Sequence, residues 1–209
     1  MIFIRYENWK SYLKFYPITC LFLLINIVMF LILTFSGGST DPYTLIDFGA
    51  TVNVDPYKSE LWRYLTAIFL HNGFSHLLFN SFALLIFTPP LERLLGWWRY
   101  ALLYLLGGAL GSVLAVAISS PSALTEGATV SVGASGAIYA VYGAFLYIAV
   151  LQRSSMDEGS RKTLYALLLM GLISSFAIPN VDYMAHIGGM IAGFFIYGLI
   201  IRLFKRNRR

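Results

Sequence analysis

Long stretches without a charged residue constrain this chain more than any other feature of its sequence. The first of them, residues 17–35, contains 19 uncharged residues, and about 20 apolar residues are enough for a helix to cross the roughly 30 Å hydrocarbon core of a bilayer. Charged residues make up only 12% of the chain, against about 25% in soluble domains. The pattern therefore predicts an all-α membrane protein.

Six membrane spans are predicted, and at 209 residues they form a single domain with no room for a second one. The first span could instead be a cleaved signal peptide, but a long charged leader precedes it and no small-residue cleavage site follows it. The predicted spans are residues 17–35, 75–95, 100–119, 132–151, 163–178 and 183–201. They are accompanied by a basic interfacial segment (1–16), an outer loop (36–74) and a basic tail (202–209).

Local signals refine the second span and the loop before it. Residues 62–70 are apolar but too short to cross a bilayer, which indicates a re-entrant segment. Ser75 is predicted to cap the N-terminus of span 2. The Pro89-Pro90 pair predicts a kink in the lower part of this span, and the geometry of the inner end stays open.

Lysine and arginine residues predict the orientation, because cytoplasmic loops carry an excess of them. With six spans, 13 of the 15 lie on the side of the two termini, and Lys58 and Arg63 lie on the other side. Both termini are therefore predicted in the cytoplasm, and spans 2, 4 and 6 are predicted to begin on the outer side. Because the same topology explains the net charge of +5, no nucleic-acid partner is predicted.

The small residues Gly133-Ala134-Ser135-Gly136 at the start of span 4 have two interpretations. Small residues are common where membrane helices pack closely, so the motif could serve packing alone. His186, however, lies about one turn into span 6 on the same side, and histidine is the usual base that activates a serine nucleophile. Gly189 and Gly193 follow His186 on its own helix face, and they would let the two helices approach closely. A Ser135–His186 dyad is the functional interpretation.

Two polar side chains of span 2 favour that functional interpretation. His76 and Asn80 are four residues apart and share one helix face near the outer surface. There they could donate hydrogen bonds to an oxyanion, beside the backbone N–H of Ser135. A structural network that ties span 2 to its neighbours is the alternative.

Other chemistries find less support in the sequence. Asp182 could be the third member of a catalytic triad with His186, but its place after a Pro-Asn turn favours a cap for span 6. No acidic residue clusters with the histidines inside the bundle, which argues against a zinc site and a proton-relay transporter. Cys20 has no partner cysteine, so neither a disulfide nor thiol chemistry is expected. No metal or other cofactor is predicted.

Taken together, these motifs resemble those of the rhomboid intramembrane serine proteases, in order and in spacing. The resemblance covers spans 2 to 6 and the first outer loop. It rests on Trp62-Arg63, His71, His76-x-x-x-Asn80, Glu92-x-x-x-Gly96, Gly133-x-Ser135-Gly136 and Ala185-His186-x-Gly188-Gly189-x-x-x-Gly193.

The resemblance implies a six-helix bundle in which span 4 is short and begins below the outer surface, so that its serine lies in a water-filled cavity open to the outside. Ser135 would be the nucleophile and His186 the base and then the acid of a dyad. His76, Asn80 and the Ser135 amide would form the oxyanion hole, and Tyr139 would pack on the catalytic imidazole. The resemblance also implies that Trp62-Arg63 lies in the outer leaflet and that Glu92 is structural.

The substrates implied by the resemblance are single-span membrane proteins, cut near the outer face of the bacterial cytoplasmic membrane after a small residue. A helix hides its carbonyl groups in hydrogen bonds, so the substrate must unwind locally before a serine can attack it. An inactive rhomboid-like protein that binds transmembrane helices without cutting them is the alternative. Such proteins usually lack the serine or the histidine, and this chain has both.

Overall fold

The computed structural model describes residues 3, 6–118, 128–177 and 181–204 of the chain. Two short strands, β1 (Thr51–Val52) and β2 (Val130–Ser131), pair antiparallel with Thr51 opposite Ser131. The rest of the regular structure in these ranges is helical, which confirms the predicted helical bundle. The α-helices are α1 (Trp9–Phe15), α2 (Pro17–Ser36), α3 (Pro42–Asp47), α4 (Arg63–Thr66), α5 (Gly73–Phe87), α6 (Pro89–Leu95), α7 (Trp97–Ile118), α8 (Ser135–Leu151), α9 (Glu158–Ala177) and α10 (Tyr183–Leu203).

Six helical segments correspond to the six predicted spans. Helices α2, α7 and α10 are each long and apolar enough to cross a membrane, and α5 and α6 form a further broken span with a bend of 45°. The bend falls at Pro89-Pro90, where proline cannot donate a backbone hydrogen bond. α8 is apolar but has only 17 residues, or about 25 Å at 1.5 Å per residue. α9, with 20 residues, corresponds to the fifth predicted span.

Two helix starts on the site side of the bundle differ from the sequence prediction. α5 begins at Gly73 with Asn72 in the cap position, so the prediction that Ser75 caps this helix is wrong. Gly73 has a φ of 82°, which lets the chain turn directly into the helix. α8 begins at Ser135 rather than at residue 132, because the chain turns at Gly133 with a φ of 126°.

At the opposite end of the bundle, three helices extend beyond the predicted spans. α10 ends at Leu203 rather than at residue 201. α7 begins at Trp97 rather than at residue 100. α9 begins at Glu158, five residues before the predicted start at residue 163, because Asp157 accepts hydrogen bonds from the Ser160 hydroxyl (2.6 Å) and the Ser160 backbone N–H (2.9 Å). These bonds lower the pKa of Asp157 to about 2. Some of the predicted residues lie outside the described ranges. They are residues 119 and 178, where spans 3 and 5 are predicted to end, residues 205–209 of the tail, and residues 1, 2, 4 and 5 of the interfacial segment.

The long connection between α2 and α5 is organised around the buried side chain of Arg63. Its guanidinium donates hydrogen bonds to the carbonyl oxygens of Ile46 and Ala50. It pairs with Glu60 and lies 4.5 Å from the ring of Trp62. The apolar stretch that was predicted to be re-entrant, residues 62–70, forms α4 and a 3-10 turn (Ala67–Phe69). Ala67, Ile68 and Leu70 of this stretch are buried.

α6 is tied to the start of α2 by Glu92. Its carboxylate accepts hydrogen bonds from the backbone N–H groups of Ile18 (2.8 Å) and Thr19 (2.9 Å). It also accepts one from the Thr19 hydroxyl (2.7 Å). The first N–H groups of a helix have no partner within the helix and attract negative charge. Glu92 therefore has a structural role, as the resemblance implies.

α8 packs against both α7 and α10, and these two helices also pack against each other. Each residue from Gly136 to Phe145 is buried. The contact between α8 and α10 requires glycine at two positions of α10. A methyl group at Gly189 would overlap the Gly136 carbonyl, and one at Gly193 would overlap the Ala140 carbonyl. The two helix backbones are therefore in direct contact, which brings the starts of α8 and α10 together.

Candidate active site

Ser135 and His186 form a direct hydrogen bond at the end of the bundle where α8 and α10 begin. The Ser135 Oγ lies 2.7 Å from the His186 Nε2. Ser135 is the first residue of α8 and is partly exposed, whereas His186 lies in the first turn of α10 and is 7% exposed. A hydroxyl at this distance from an imidazole nitrogen has the geometry of a serine nucleophile with its base.

Asp182 is the cap of α10, as favoured by the sequence, and does not complete a triad. One carboxylate oxygen accepts the Ala185 backbone N–H at 3.0 Å, and the other accepts the Ser131 hydroxyl at 2.7 Å. Ser131 lies in β2, four residues before the nucleophile. The cap therefore also links the loop that leads into Ser135 to the helix that carries His186.

The ring of Tyr139 is stacked on the imidazole of His186. The two ring centroids are 4.2 Å apart and the planes differ by 6°. Tyr139 lies one turn after Ser135 in α8, where the resemblance implies such a contact. Its hydroxyl reaches α9, and a methyl group at Gly171 would overlap it. The stacking therefore depends on a glycine in α9 as well as on α8 and α10.

Ser175 of α9 completes the surroundings of the imidazole and is absent from the residues predicted for the site. Its Oγ lies 2.6 Å from the His186 Nδ1, the nitrogen that faces away from Ser135. It is 3% exposed. Polar residues within membrane helices are functional candidates by default, and Gly171 and Ser175, four residues apart on one face of α9, were the available signal.

His76 and Asn80 of α5 face the loop that precedes Ser135. The His76 Nδ1 accepts the backbone N–H of Asn72 at 3.3 Å, so the ring proton of the neutral side chain lies on Nε2. A Cβ at Gly133 would lie 2.8 Å from that Nε2 and 3.9 Å from the Asn80 Nδ2. Because glycine has no side chain, a space remains at Gly133 beside the N–H donors of His76 and Asn80.

His71 lies beside His76. It is fully buried, and its ring centroid is 5.2 Å from that of His76. Its position makes it a packing neighbour of His76. Across the described part of the chain, no three His, Cys, Asp or Glu side chains form a group that could hold a metal ion.

Comparison with known proteins gives a consistent family assignment. Residues 58–203 match a family model described as the Rhomboid domain. The chain is 40% identical over 178 residues to the Rhomboid protease GluP of Bacillus subtilis, an alignment that covers 85% of this chain and 33% of GluP. It is 32% identical over 208 residues to the Putative rhomboid protease YdcA of the same organism, with 100% of both chains covered.

A more distant relative is named as a serine protease. The chain is 28% identical over 148 residues to the Rhomboid-type serine protease 2 of Emericella nidulans, covering 69% of this chain and 28% of that protein. The chain thus spans about a third of GluP and the full length of YdcA.

Proposed function

Since this chain belongs to the rhomboid family, we propose that it is an intramembrane serine endopeptidase that cuts the transmembrane segments of membrane-anchored proteins near the outer face. The observation that carries the proposal is the 2.7 Å contact between the Ser135 Oγ and the His186 Nε2. This contact lies at one end of a helical membrane bundle, where the nucleophile is partly exposed.

The reaction begins when the His186 Nε2 takes the proton of the Ser135 hydroxyl as the Oγ attacks a carbonyl carbon of the substrate. The carbonyl oxygen becomes an oxyanion in the tetrahedral intermediate. His186 then gives its proton to the leaving nitrogen, the C–N bond breaks, and an acyl group stays on Ser135. Water attacks this ester with His186 again as base, which releases the acid product and restores the Ser135 hydroxyl.

Three N–H groups are the proposed donors to the oxyanion. Ser135 begins α8, so its backbone N–H has no partner within the helix. The His76 Nε2 carries the ring proton, because the Nδ1 accepts the Asn72 backbone N–H. The Asn80 Nδ2 donates one hydrogen to the His76 carbonyl at 3.0 Å, and an amide nitrogen has a second hydrogen to offer. Donors held in place before the reaction stabilise the developing charge without reorganisation.

The remaining predicted site residues are proposed to hold this geometry. Tyr139 supports one face of the His186 ring. Gly133 keeps the oxyanion space open, while Gly136, Gly189 and their neighbour Gly193 allow α10 to lie against α8.

The proposed orientation rests on the distribution of the positive charges. With 13 of the 15 Lys and Arg residues on the side of the termini, the two termini are proposed to lie in the cytoplasm. The dyad then faces the outer side of the cytoplasmic membrane. The proposed substrates are single-span membrane proteins, because only a segment that can unwind near this face exposes its carbonyl groups to Ser135.

The proposed function is tested with the purified protein in liposomes that also contain a model single-span substrate. We expect two fragments whose new ends, mapped by mass spectrometry, lie in the outer part of the transmembrane segment. Intact substrate that copurifies with the protein would contradict the proposal and favour a protein that only binds transmembrane helices.

Replacing Asn80 by alanine is expected to lower kcat by about 10²-fold, because oxyanion donors typically contribute this much. The measurement is the initial cleavage rate in liposomes as a function of substrate density. Asn72→Ala is the matched control, because the Asn72 side chain is exposed and its backbone N–H to His76 is kept.

His76 could compensate for part of that loss. The double variant His76→Ala/Asn80→Ala is therefore measured beside the single variants. An unchanged kcat in the double variant would remove both side chains from the oxyanion site.

A further inference from the structure

The imidazole of His186 is held on both of its nitrogens. The Nε2 faces Ser135 at 2.7 Å, and the Nδ1 faces the Oγ of Ser175 at 2.6 Å. Ser175 is buried, so bulk water does not compete for this second contact. The Nδ1 of His186 therefore contacts a hydroxyl group from α9. Both carboxylate oxygens of Asp182 accept hydrogen bonds from other groups.

The direction of the second hydrogen bond follows from counting protons. The Ser175 hydroxyl lies 2.7 Å from the Gly171 carbonyl oxygen, one turn earlier in α9. A carbonyl oxygen can only accept, so the single proton of the hydroxyl is donated to Gly171. Ser175 then has only lone pairs to offer His186, and the Nδ1 must carry the proton. The Tyr139 hydroxyl, 3.4 Å from the same Oγ, can donate to a remaining lone pair.

A neutral imidazole carries one proton. With that proton on Nδ1, the Nε2 has a free lone pair directed at the Ser135 hydroxyl, as a general base requires. In Ser-His-Asp enzymes an aspartate holds the histidine in this tautomer, and replacing it by asparagine reverses the tautomer and lowers kcat by about 10⁴-fold. A serine with its proton committed to a helix carbonyl can hold the same tautomer without adding a buried charge.

We propose that Ser175 is a positioning residue that fixes the tautomer and the orientation of His186, with the Gly171 carbonyl setting the direction of its hydrogen bond. This role deepens the proposed function and rests on it, because it assumes that His186 is the base for Ser135. α9 thereby takes part in the active site, together with α5, α8 and α10.

Three variants test the role of Ser175. Ser175→Ala removes the acceptor, and kcat is expected to fall about tenfold with KM unchanged, the loss typical of one hydrogen bond. Ser175→Thr keeps a hydroxyl that can bond the carbonyl one turn earlier, and it is expected to restore most of the rate. Ser174→Ala is the matched control, because Ser174 is the adjacent serine of the same helix and is exposed. It is expected to leave kcat unchanged.

The second readout is ¹⁵N NMR of His186 in the folded protein in detergent micelles, which reports the tautomer without any substrate. We expect the proton on Nδ1 in the wild type and in Ser175→Thr, and a mixture of tautomers in Ser175→Ala. A fixed Nδ1 proton in Ser175→Ala would overturn the proposal, even if kcat falls. Because this readout needs no cleavage, a tautomer change in a protein that cuts nothing would support the role of Ser175 and contradict the proposed function.

Discussion

Replacing Ser135 or His186 by alanine is expected to lower the cleavage rate by about 10⁴-fold or more, because nucleophile and base act as a unit. Alanine at 135 removes the atom that attacks, and alanine at 186 leaves the hydroxyl with no base at hydrogen-bond distance. The measurement is the initial rate of cleavage of a single-span substrate in liposomes. Both variants should still bind the substrate, since the dyad touches only the scissile bond.

Ser155→Ala is the control for this pair. Ser155 is an exposed serine in the turn between α8 and α9, at the other end of α8 from the dyad. It should cleave at the wild-type rate. A Ser135→Ala or His186→Ala variant that cleaves as fast as this control would remove the dyad from the mechanism.

Gly193→Ala is expected to destabilise the bundle and abolish most of its activity. The added methyl group would overlap the carbonyl oxygen of Ala140, and a helix carbonyl cannot move away independently of its helix. α10 would have to shift from α8, which would separate His186 from Ser135. Overpacking of this kind costs about 1–3 kcal/mol and occasionally more. The measurements are the thermal unfolding midpoint in detergent and the cleavage rate.

Gly198→Ala places the same methyl group on the same helix and is the matched control. There the added carbon would lie 2.8 Å from a ring carbon of Tyr147, and a side chain can rotate where a carbonyl cannot. We expect a small loss of stability with the cleavage rate retained. Equal losses in the two variants would show that the contact between the α8 and α10 backbones has no special importance.

The sequence predicted the parts of this molecule that depend on local patterns. Uncharged runs indicated the spans, since lipid excludes charge over a defined length. The cap at Asp182 followed from the turn before it. Helix ends were less predictable, because charged residues such as Glu158 can continue a helix beyond its apolar run. The start of α5 was missed because Gly73 enters the helix through a left-handed conformation.

Contacts between residues far apart in the sequence were harder to predict. Ser135 and His186 could be paired because each is a chemically distinctive residue at a predictable depth. Ser175 was missed because its partner, the Nδ1 of His186, belongs to another helix, and the sequence does not show which helix faces of α9 and α10 meet. The pairing of Thr51 with Ser131 joins segments 80 residues apart and two residues long, too short for an alternating pattern to be recognised.

The central claim is that His186 activates Ser135, and the most direct measurement is mass-spectrometric mapping of the adduct formed by a serine-directed fluorophosphonate. The wild type is predicted to carry the adduct on Ser135, and the folded His186→Ala variant is predicted to carry none. Labelling of Ser135 to the same extent without the imidazole, or labelling of a different serine in the wild type, would contradict the claim.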